Sequence, residues 1–157
     1  NSGLARKLGI SSLQDTDGEL INSLFETMSN AKLDFTLTFR YLSDITHLKS
    51  SEEKIDKPQN IEKGLRSWLP RWLERLELEK IEASERQKSM YEVNPVFIPR
   101  NHLVEKAIKS ATEDGDFSEF HLLSKVLSNP FSYNSKYERY GIPPKPDQVV
   151  KQTFCGT

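Results

Sequence analysis

Apolar residues recur at intervals of three and four along most of the chain, which is the spacing of helices that bury one face. This spacing predicts a short helix from Leu4 to Leu8 that ends at Gly9. It predicts a longer helix that begins at a capping box formed by Thr16 and Glu19. The stripe of the longer helix consists of Leu20, Ile21, Leu24, Phe25 and Met28.

Residues 33–39 carry two competing signals. Their alternation and their threonines are typical of a strand. Asp34, however, is a good helix N-cap, and Phe35, Phe39 and Leu42 follow helical spacing. We therefore expect a helix that begins after Asp34.

Residues 46–60 contain few apolar side chains, which predicts a mobile linker. Pro70 then interrupts a long apolar stripe, and proline removes a backbone donor, so a kink or break is expected there. Residues 77–92 are expected to continue this helix with a solvated surface of alternating charge. The stripe consists of Ile61, Leu65, Trp68, Leu69, Trp72, Leu73 and Leu76.

The remaining pattern predicts a helical hairpin followed by a tail. Asn101 is expected to cap the first helix, and Glu113-Asp114-Gly115 to form the tight turn before the second. Prolines after Asn129-Pro130 predict an extended segment. The inward positions are Leu103, Val104, Ala107, Ile108 and Ala111 on the first helix, and Phe117, Phe120, Leu123 and Leu127 on the second. The predicted fold is all-α: an irregular helical subdomain over 1–130 and an extended, proline-containing tail over 131–157.

Composition narrows the classes of function. The 157 residues are 36% hydrophobic and 29% charged, which suits one compact globular domain. A formal net charge of -1 gives no field that would attract nucleic acid or an anionic membrane, and no apolar run is long enough to span a bilayer. The chain starts at Asn1 without an initiator methionine, so we expect a piece of a longer protein.

Candidate catalytic chemistry is sparse. The histidines, His47, His102 and His121, are scattered and do not give the convergent ligands of a zinc site. A nucleophilic pair of Cys155 with His102 is disfavoured because a terminal tail holds a nucleophile poorly. Asp34-Phe35-Thr36 and Asp116-Phe117-Ser118 echo a kinase Asp-Phe-Gly motif without its glycine, and are better explained as helix caps followed by a core phenylalanine. We therefore predict no catalytic, cofactor or metal site in this segment.

Trp68 and Trp72 allow two interpretations. With Arg66, Arg71 and Arg75 they could form a stacking surface for single-stranded nucleic acid. They share the leucine stripe, however, and glutamates alternate with the arginines. We expect the tryptophans to lie in the core or on a face that docks onto a larger protein.

Several short motifs together resemble the C-terminal region of the selenoprotein O (SelO/YdiU) family. The chain's only cysteine, Cys155, stands third from its end, where that family carries selenocysteine or cysteine. Here Gly156 and Thr157 replace the serines that usually follow. The other motifs are Asn94-Pro95 with Arg100-Asn101, Gly115-Asp116-Phe117-Ser118-Glu119, and Asn129-Pro130-Phe131.

This resemblance implies a protein adenylyltransferase with a pseudokinase fold. In such proteins a kinase-like domain binds ATP and Mg²⁺ and transfers AMP to serine, threonine or tyrosine of target proteins. The implied partners are the kinase-like domain of the same chain and the protein substrates, with no nucleic acid and no membrane. The catalytic residues would precede this segment, so the whole protein would be an enzyme and the segment alone would not.

The resemblance also implies a role for Cys155, as one half of a redox-sensitive disulfide with a cysteine of the activation-loop region. It implies a cytoplasmic location in a bacterium and a mitochondrial one in a eukaryote. The alternative hypothesis is a non-enzymatic helical interaction module, in which Trp68 and Trp72 bind a partner and Cys155 is incidental.

Overall fold

The structure, a computed structural model, describes residues 2–46 and 59–150, which form helices and turns and contain no strand. The predicted all-α class is confirmed. The chain divides into two compact units, Asn1–Asn94 and Pro95–Thr157. The α-helices are α1 (Ser2–Lys7), α2 (Asp17–Asn30), α3 (Phe35–Ile45), α4 (Gln59–Leu65), α5 (Leu69–Glu77), α6 (Ala83–Tyr91), α7 (Asn101–Glu113) and α8 (Ser118–Leu127).

The core of the first unit is built around two tryptophans. Trp68 and Trp72 stack with their ring centroids 5.9 Å apart, and both are almost fully buried. The Trp68 indole N–H donates to the Leu20 carbonyl at 2.9 Å, and that of Trp72 donates to the Leu8 carbonyl at 3.0 Å. The stripe therefore faces the unit's own core, and the interpretations of these rings as a partner-binding or nucleic-acid surface are wrong.

The expected break at Pro70 is confirmed, but the expected continuation of the helix is wrong. Pro70 lies in the first turn of α5, where a missing N–H leaves no hydrogen bond unmade. α5 ends at Glu77, and α6 begins only at Ala83. The reason is a side chain: Arg86 donates to the carbonyls of Leu76, at 3.0 Å, and of Gly9, which fixes α6 against the end of α5.

Two helix starts in the first unit were predicted, with different outcomes. Asp34 caps α3, since its carboxylate accepts from the Leu37 N–H at 2.9 Å, as expected. The Thr16/Glu19 capping box is wrong. Thr16 has helical backbone angles and makes no capping hydrogen bond, while the Asp17 carboxylate accepts from the Gln14 N–H at 2.8 Å. The Asp17 side chain thus binds the loop that precedes α2.

The hairpin predicted in the second unit is confirmed as α7 and α8. Gly115 makes its turn with φ of +65°, a left-handed conformation that favours glycine. Asn101 is the first residue of α7 and not its cap, because the extended residue before it is Arg100. The inward assignment of Ile108, Phe117 and Phe120 is wrong, since about half of each side chain is exposed. The buried core is Phe97, Leu123, Val126 and Tyr140.

The second compact unit begins at Pro95, and the boundary expected at residue 130 stays a prediction. The N–H groups of Val96 and Phe97 both donate to the Pro130 carbonyl, at 2.8 and 3.1 Å, which joins the segment after Asn94 to the end of α8. The described part of the predicted tail contains two 3-10 helices, Ser135–Tyr140 and Pro146–Gln148, and Tyr140 is buried. The tail is thus partly folded onto the second unit.

Most of the predicted linker, residues 47–58, lies outside the described residues. Among the described helices, none has the length and apolar character that a membrane span requires.

Candidate functional site

The residue singled out by the sequence, Cys155, lies outside the described residues, as does His47. The redox role of Cys155 therefore stays a prediction. The described histidines lie on different helices of the second unit, His102 at the start of α7 and His121 in α8. Within residues 2–46 and 59–150, no three histidine or carboxylate side chains come together as a metal site would require.

His102 is the more constrained of the two histidines. Its Nδ1 is buried and has no hydrogen-bond partner in the described part of the chain. Burial, and next the positive charge of Arg100, lower the pKa of His102 below its usual value. His121 is exposed, and the ring of Phe120 meets it edge-on at 5.7 Å between centroids. His121 is thus a surface histidine, whereas His102 is half-buried.

The first unit contains a buried chain of ion pairs that the sequence analysis missed. The Arg75 guanidinium donates to both Asp17 oxygens, at 2.7 and 3.1 Å, and to Glu79 at 3.1 Å. Glu79 also lies 3.4 Å from Arg86. Both arginine side chains are at most 7% exposed. Arg75 lies in α5 and Glu79 two residues beyond its end, and their spacing of four residues in the sequence was the available signal.

These ion pairs shift the protonation of both acids in the same direction. The hydrogen bond from Arg75 lowers the pKa of Asp17, outweighing the opposing effect of burial. Burial alone would raise the pKa of Glu79, but hydrogen bonds from Ser11 and Arg75 together hold it below its usual value. Both carboxylates therefore stay charged and are engaged with arginine. Such groups are poor proton acceptors, so the network supports the fold and not acid–base catalysis.

A second polar cluster of the first unit is centred on Asn94. This side chain is fully buried, and its amide N–H₂ donates to the Lys7 carbonyl at 2.9 Å and to the Ser43 hydroxyl at 3.0 Å. The Lys7 ammonium in turn donates to the Val93 carbonyl at 2.7 Å. Asn94 thereby connects α1 and α3 with the turn that follows α6.

Beside Asn94 lies a stacked arginine. The Arg40 guanidinium lies 4.0 Å from the centroid of the Tyr91 ring, and the Tyr91 hydroxyl donates to Asp44 at 2.8 Å. Burial and the Asp44 hydrogen bond raise the pKa of Tyr91, and burial raises that of Asp44. The side chains of Arg40, Tyr91 and Asp44 contact one another, so this cluster also contributes to packing.

The motifs that carried the family resemblance are explained by local structure. Asn94 holds the buried cluster, and Pro130 supplies the carbonyl that Val96 and Phe97 share. The Asp116 carboxylate accepts from both the N–H and the hydroxyl of Ser118, each at 2.9 Å, at the start of α8. These residues fix turns and helix starts.

One groove of the second unit has a volume of about 730 Å³. Its lining includes His102, Lys106, Glu119 and Arg139. Glu119 lies 2.6 Å from Lys106 and 4.0 Å from Arg139, so its charge is neutralised by its neighbours.

Comparison with known proteins gives this scaffold a family. The family model described as protein adenylyltransferase SelO matches residues 1–128, so the chain belongs to that family.

Relatives named protein nucleotidyltransferase YdiU align with 99% of the chain. Those from Rhizobium meliloti (strain 1021), Rhodopseudomonas palustris (strain BisB5) and Bradyrhizobium sp. (strain BTAi1) are 44%, 42% and 43% identical to it. The aligned segment is 32% of each relative. The chain therefore spans about a third of the length of these curated relatives, and the predicted family is confirmed.

Proposed function

We propose that this chain is the helical C-terminal part of an enzyme that transfers AMP from ATP to serine, threonine or tyrosine of proteins. One observation carries the proposal: the chain aligns along 99% of its length with nucleotidyltransferases of which it makes up 32%. On this proposal the residues that bind ATP and Mg²⁺ and perform the transfer lie in the kinase-like domain, outside these 157 residues.

The described residues suit a supporting role. In the first unit the charged groups of Asp17, Arg75, Glu79 and Arg86 are satisfied by one another and by backbone carbonyls. Buried groups satisfied in this way require defined positions and favour a single arrangement of helices. A fixed arrangement is what a catalytic domain needs from the part that supports it.

The test follows the α-phosphate of ATP. The full-length protein and the 157-residue chain would each be incubated with Mg²⁺, a protein substrate mixture and ATP labelled at the α-phosphorus. A hydroxyl attacks that phosphorus and pyrophosphate leaves, so label should enter protein with the full-length enzyme and not with the chain alone. ATP labelled at the γ-phosphorus is the matched control and should leave protein unlabelled.

Two outcomes would contradict the proposal. Label transfer by the 157-residue chain alone would place catalytic residues inside it. Transfer of the γ-label by the full-length protein would make it a kinase.

We further propose that Cys155 forms a reversible disulfide with a cysteine of the activation-loop region. With oxidised glutathione as the oxidant, two protein thiols become one disulfide, and one molecule of oxidised glutathione is reduced to two molecules of the glutathione thiol. Peptide mapping of the oxidised full-length protein should give a cross-linked peptide that contains Cys155 and disappears with reductant. Cys155→Ser is the control, and a Cys155 thiol that stays free under oxidation would make the residue incidental.

A further inference from the structure

Three phenylalanine rings form a line from the core of the first unit to its surface. Phe39 is 1% exposed, and its ring centroid lies 4.6 Å from that of Phe35. Phe35 in turn lies 6.4 Å from Phe25, with the two rings within 8° of parallel. Phe35 is 48% and Phe25 38% exposed. We call these two outer rings the phenylalanine face.

The phenylalanine face is more than two scattered apolar side chains. Single exposed apolar residues are normal on protein surfaces, but adjoining ones often mark interaction sites. Here the two rings come from different helices, α2 and α3, and touch each other. Phe25 continues a stripe whose other members, Leu24 and Met28, are buried. The sequence pattern thus places Phe25 on the core side of α2, but the first unit leaves its ring partly uncovered.

The occupant of this face is indicated by length. Alignment over 99% of this chain accounts for only 32% of each relative, so about two thirds of such a protein lies outside the segment. We propose that the phenylalanine face packs against that remaining part of the same polypeptide, an inference that rests on the proposed function. The occupant should present apolar side chains, because a ring face offers few hydrogen bonds.

Size argues for an intramolecular partner over a second copy. A stable interface between separate proteins buries about 800 Å² on each partner, far more than two half-exposed rings provide. A partner in the same polypeptide meets the face at a high effective concentration and needs less contact area.

Hydroxyl-radical footprinting of the full-length protein tests this inference without any substitution. Oxidation of each phenylalanine is read by fragmentation of its peptide in the mass spectrometer, since Phe35 and Phe39 are only four residues apart. The buried Phe39 sets the lower limit, and the same protein unfolded in urea sets the upper one. We expect Phe25 and Phe35 to be oxidised as slowly as Phe39. Oxidation closer to the unfolded level would overturn the proposal, and so would protection that is lost on dilution, which would indicate a second copy.

A matched pair of variants gives a second readout in the full-length protein. Phe35→Asp should lower the melting temperature more than Leu78→Asp, because Leu78 is 75% exposed and has no aromatic neighbour among the ring contacts of the described residues. Equal shifts would contradict the proposal.

The AMP-transfer assay on the same preparation separates the two proposals. Transfer with an unprotected face overturns only this inference, and a protected face without transfer overturns only the proposed function.

Discussion

The two units are both helical, but they differ in where they place ion pairs. The first buries Asp17, Arg75, Arg86 and Asn94 beside two tryptophans, and Asp17 and Arg75 form an ion pair. The second has a smaller apolar core and buries Arg100, which donates to the Gly141 carbonyl at 2.9 Å. Its Lys109–Glu113 pair, in contrast, lies at the surface, with side chains 72% and 62% exposed.

The difference shows which interactions fix each arrangement. A buried charge is costly unless its partner is correctly placed, so the Asp17–Arg75 pair favours one packing of α2 against α5. An exposed pair such as Lys109–Glu113 contributes about 0–1 kcal/mol to stability and does little to favour one packing of helices over another. In the second unit this selection comes from the Pro130 carbonyl, which accepts from two successive N–H groups.

The largest expected effect is from removing a tryptophan of the first unit's core. Trp72→Ala should lower the free energy of unfolding by an amount in the upper part of the range of about 3–5 kcal/mol, because it leaves a cavity. It also leaves the Leu8 carbonyl without the indole N–H that it accepts from at 3.0 Å. Urea unfolding followed by circular dichroism measures the change.

Leu73→Ala is the matched control for Trp72, on the same helix and 40% exposed. Leu73→Ala should lower the free energy of unfolding clearly less than Trp72→Ala does. Equal losses for the two variants would contradict the placement of Trp72 at the centre of the core.

The next largest effect is expected from Asp17. Asp17→Asn removes one of the two carboxylates that pair with the buried Arg75 and leaves Glu79, at 3.1 Å, as the other. The loss should lie at the low end of about 3–5 kcal/mol, because Glu79 remains and the amide still accepts one hydrogen bond. Glu19→Gln is the control, since Glu19 also pairs with an arginine, at 2.9 Å, but its side chain is 82% exposed. It should change stability by about 1 kcal/mol or less. Comparable losses in the two variants would overturn the assigned difference between buried and exposed pairs.

The same variant predicts a change in pH dependence. The Asp17 pKa is lowered in the folded chain from an ordinary value of 3.8, so the unfolded chain binds the proton more readily. The stabilisation is therefore complete above pH 3.8 and is lost as the pH falls below that value towards the folded pKa. Asp17→Asn should flatten this acid limb of stability against pH. If the variant lost stability in acid as steeply as the unchanged protein, other carboxylates would be responsible for that loss.

The sequence predicted well where local spacing decides the structure. The Asp34 cap, the break at Pro70 and the Gly115 turn each depend on a few neighbouring residues and were found. The Thr16/Glu19 capping box failed because Asp17 is held by Arg75, 58 residues away. The predicted continuation of the helix beyond α5 failed for a similar reason. Arg86 fixes the end of α5 and also donates to the carbonyl of Gly9, 77 residues away. Such contacts have no signature in a local window.

The buried network was missed for a related reason. Arg75 and Glu79 resemble any solvated pair on a charged helix, and only the fold shows that they face inward. Conversely, Phe117 and Phe120 have the spacing of core residues, yet about half of each side chain is exposed. Apolar spacing identifies the side of a helix that is suited to burial, but the number of elements that cover that side depends on the rest of the protein.

The smallest effects are expected from a pair of glycines, one in each unit. Gly9 and Gly115 have left-handed φ values of +71° and +65°. An alanine at either costs about 1–2 kcal/mol through its backbone alone. At Gly9 the new Cβ would also lie 2.7 Å from the Met90 sulfur, whereas at Gly115 nothing lies within 4 Å. Gly9→Ala should therefore lower stability more than Gly115→Ala, as measured by urea unfolding. Because Met90 is flexible, the loss of stability from Gly9→Ala should be smaller in a Met90→Ala background than in the unchanged protein. An equal loss there would assign the difference from Gly115→Ala to Arg86, whose Cγ would lie 3.0 Å from the new Cβ, and not to Met90.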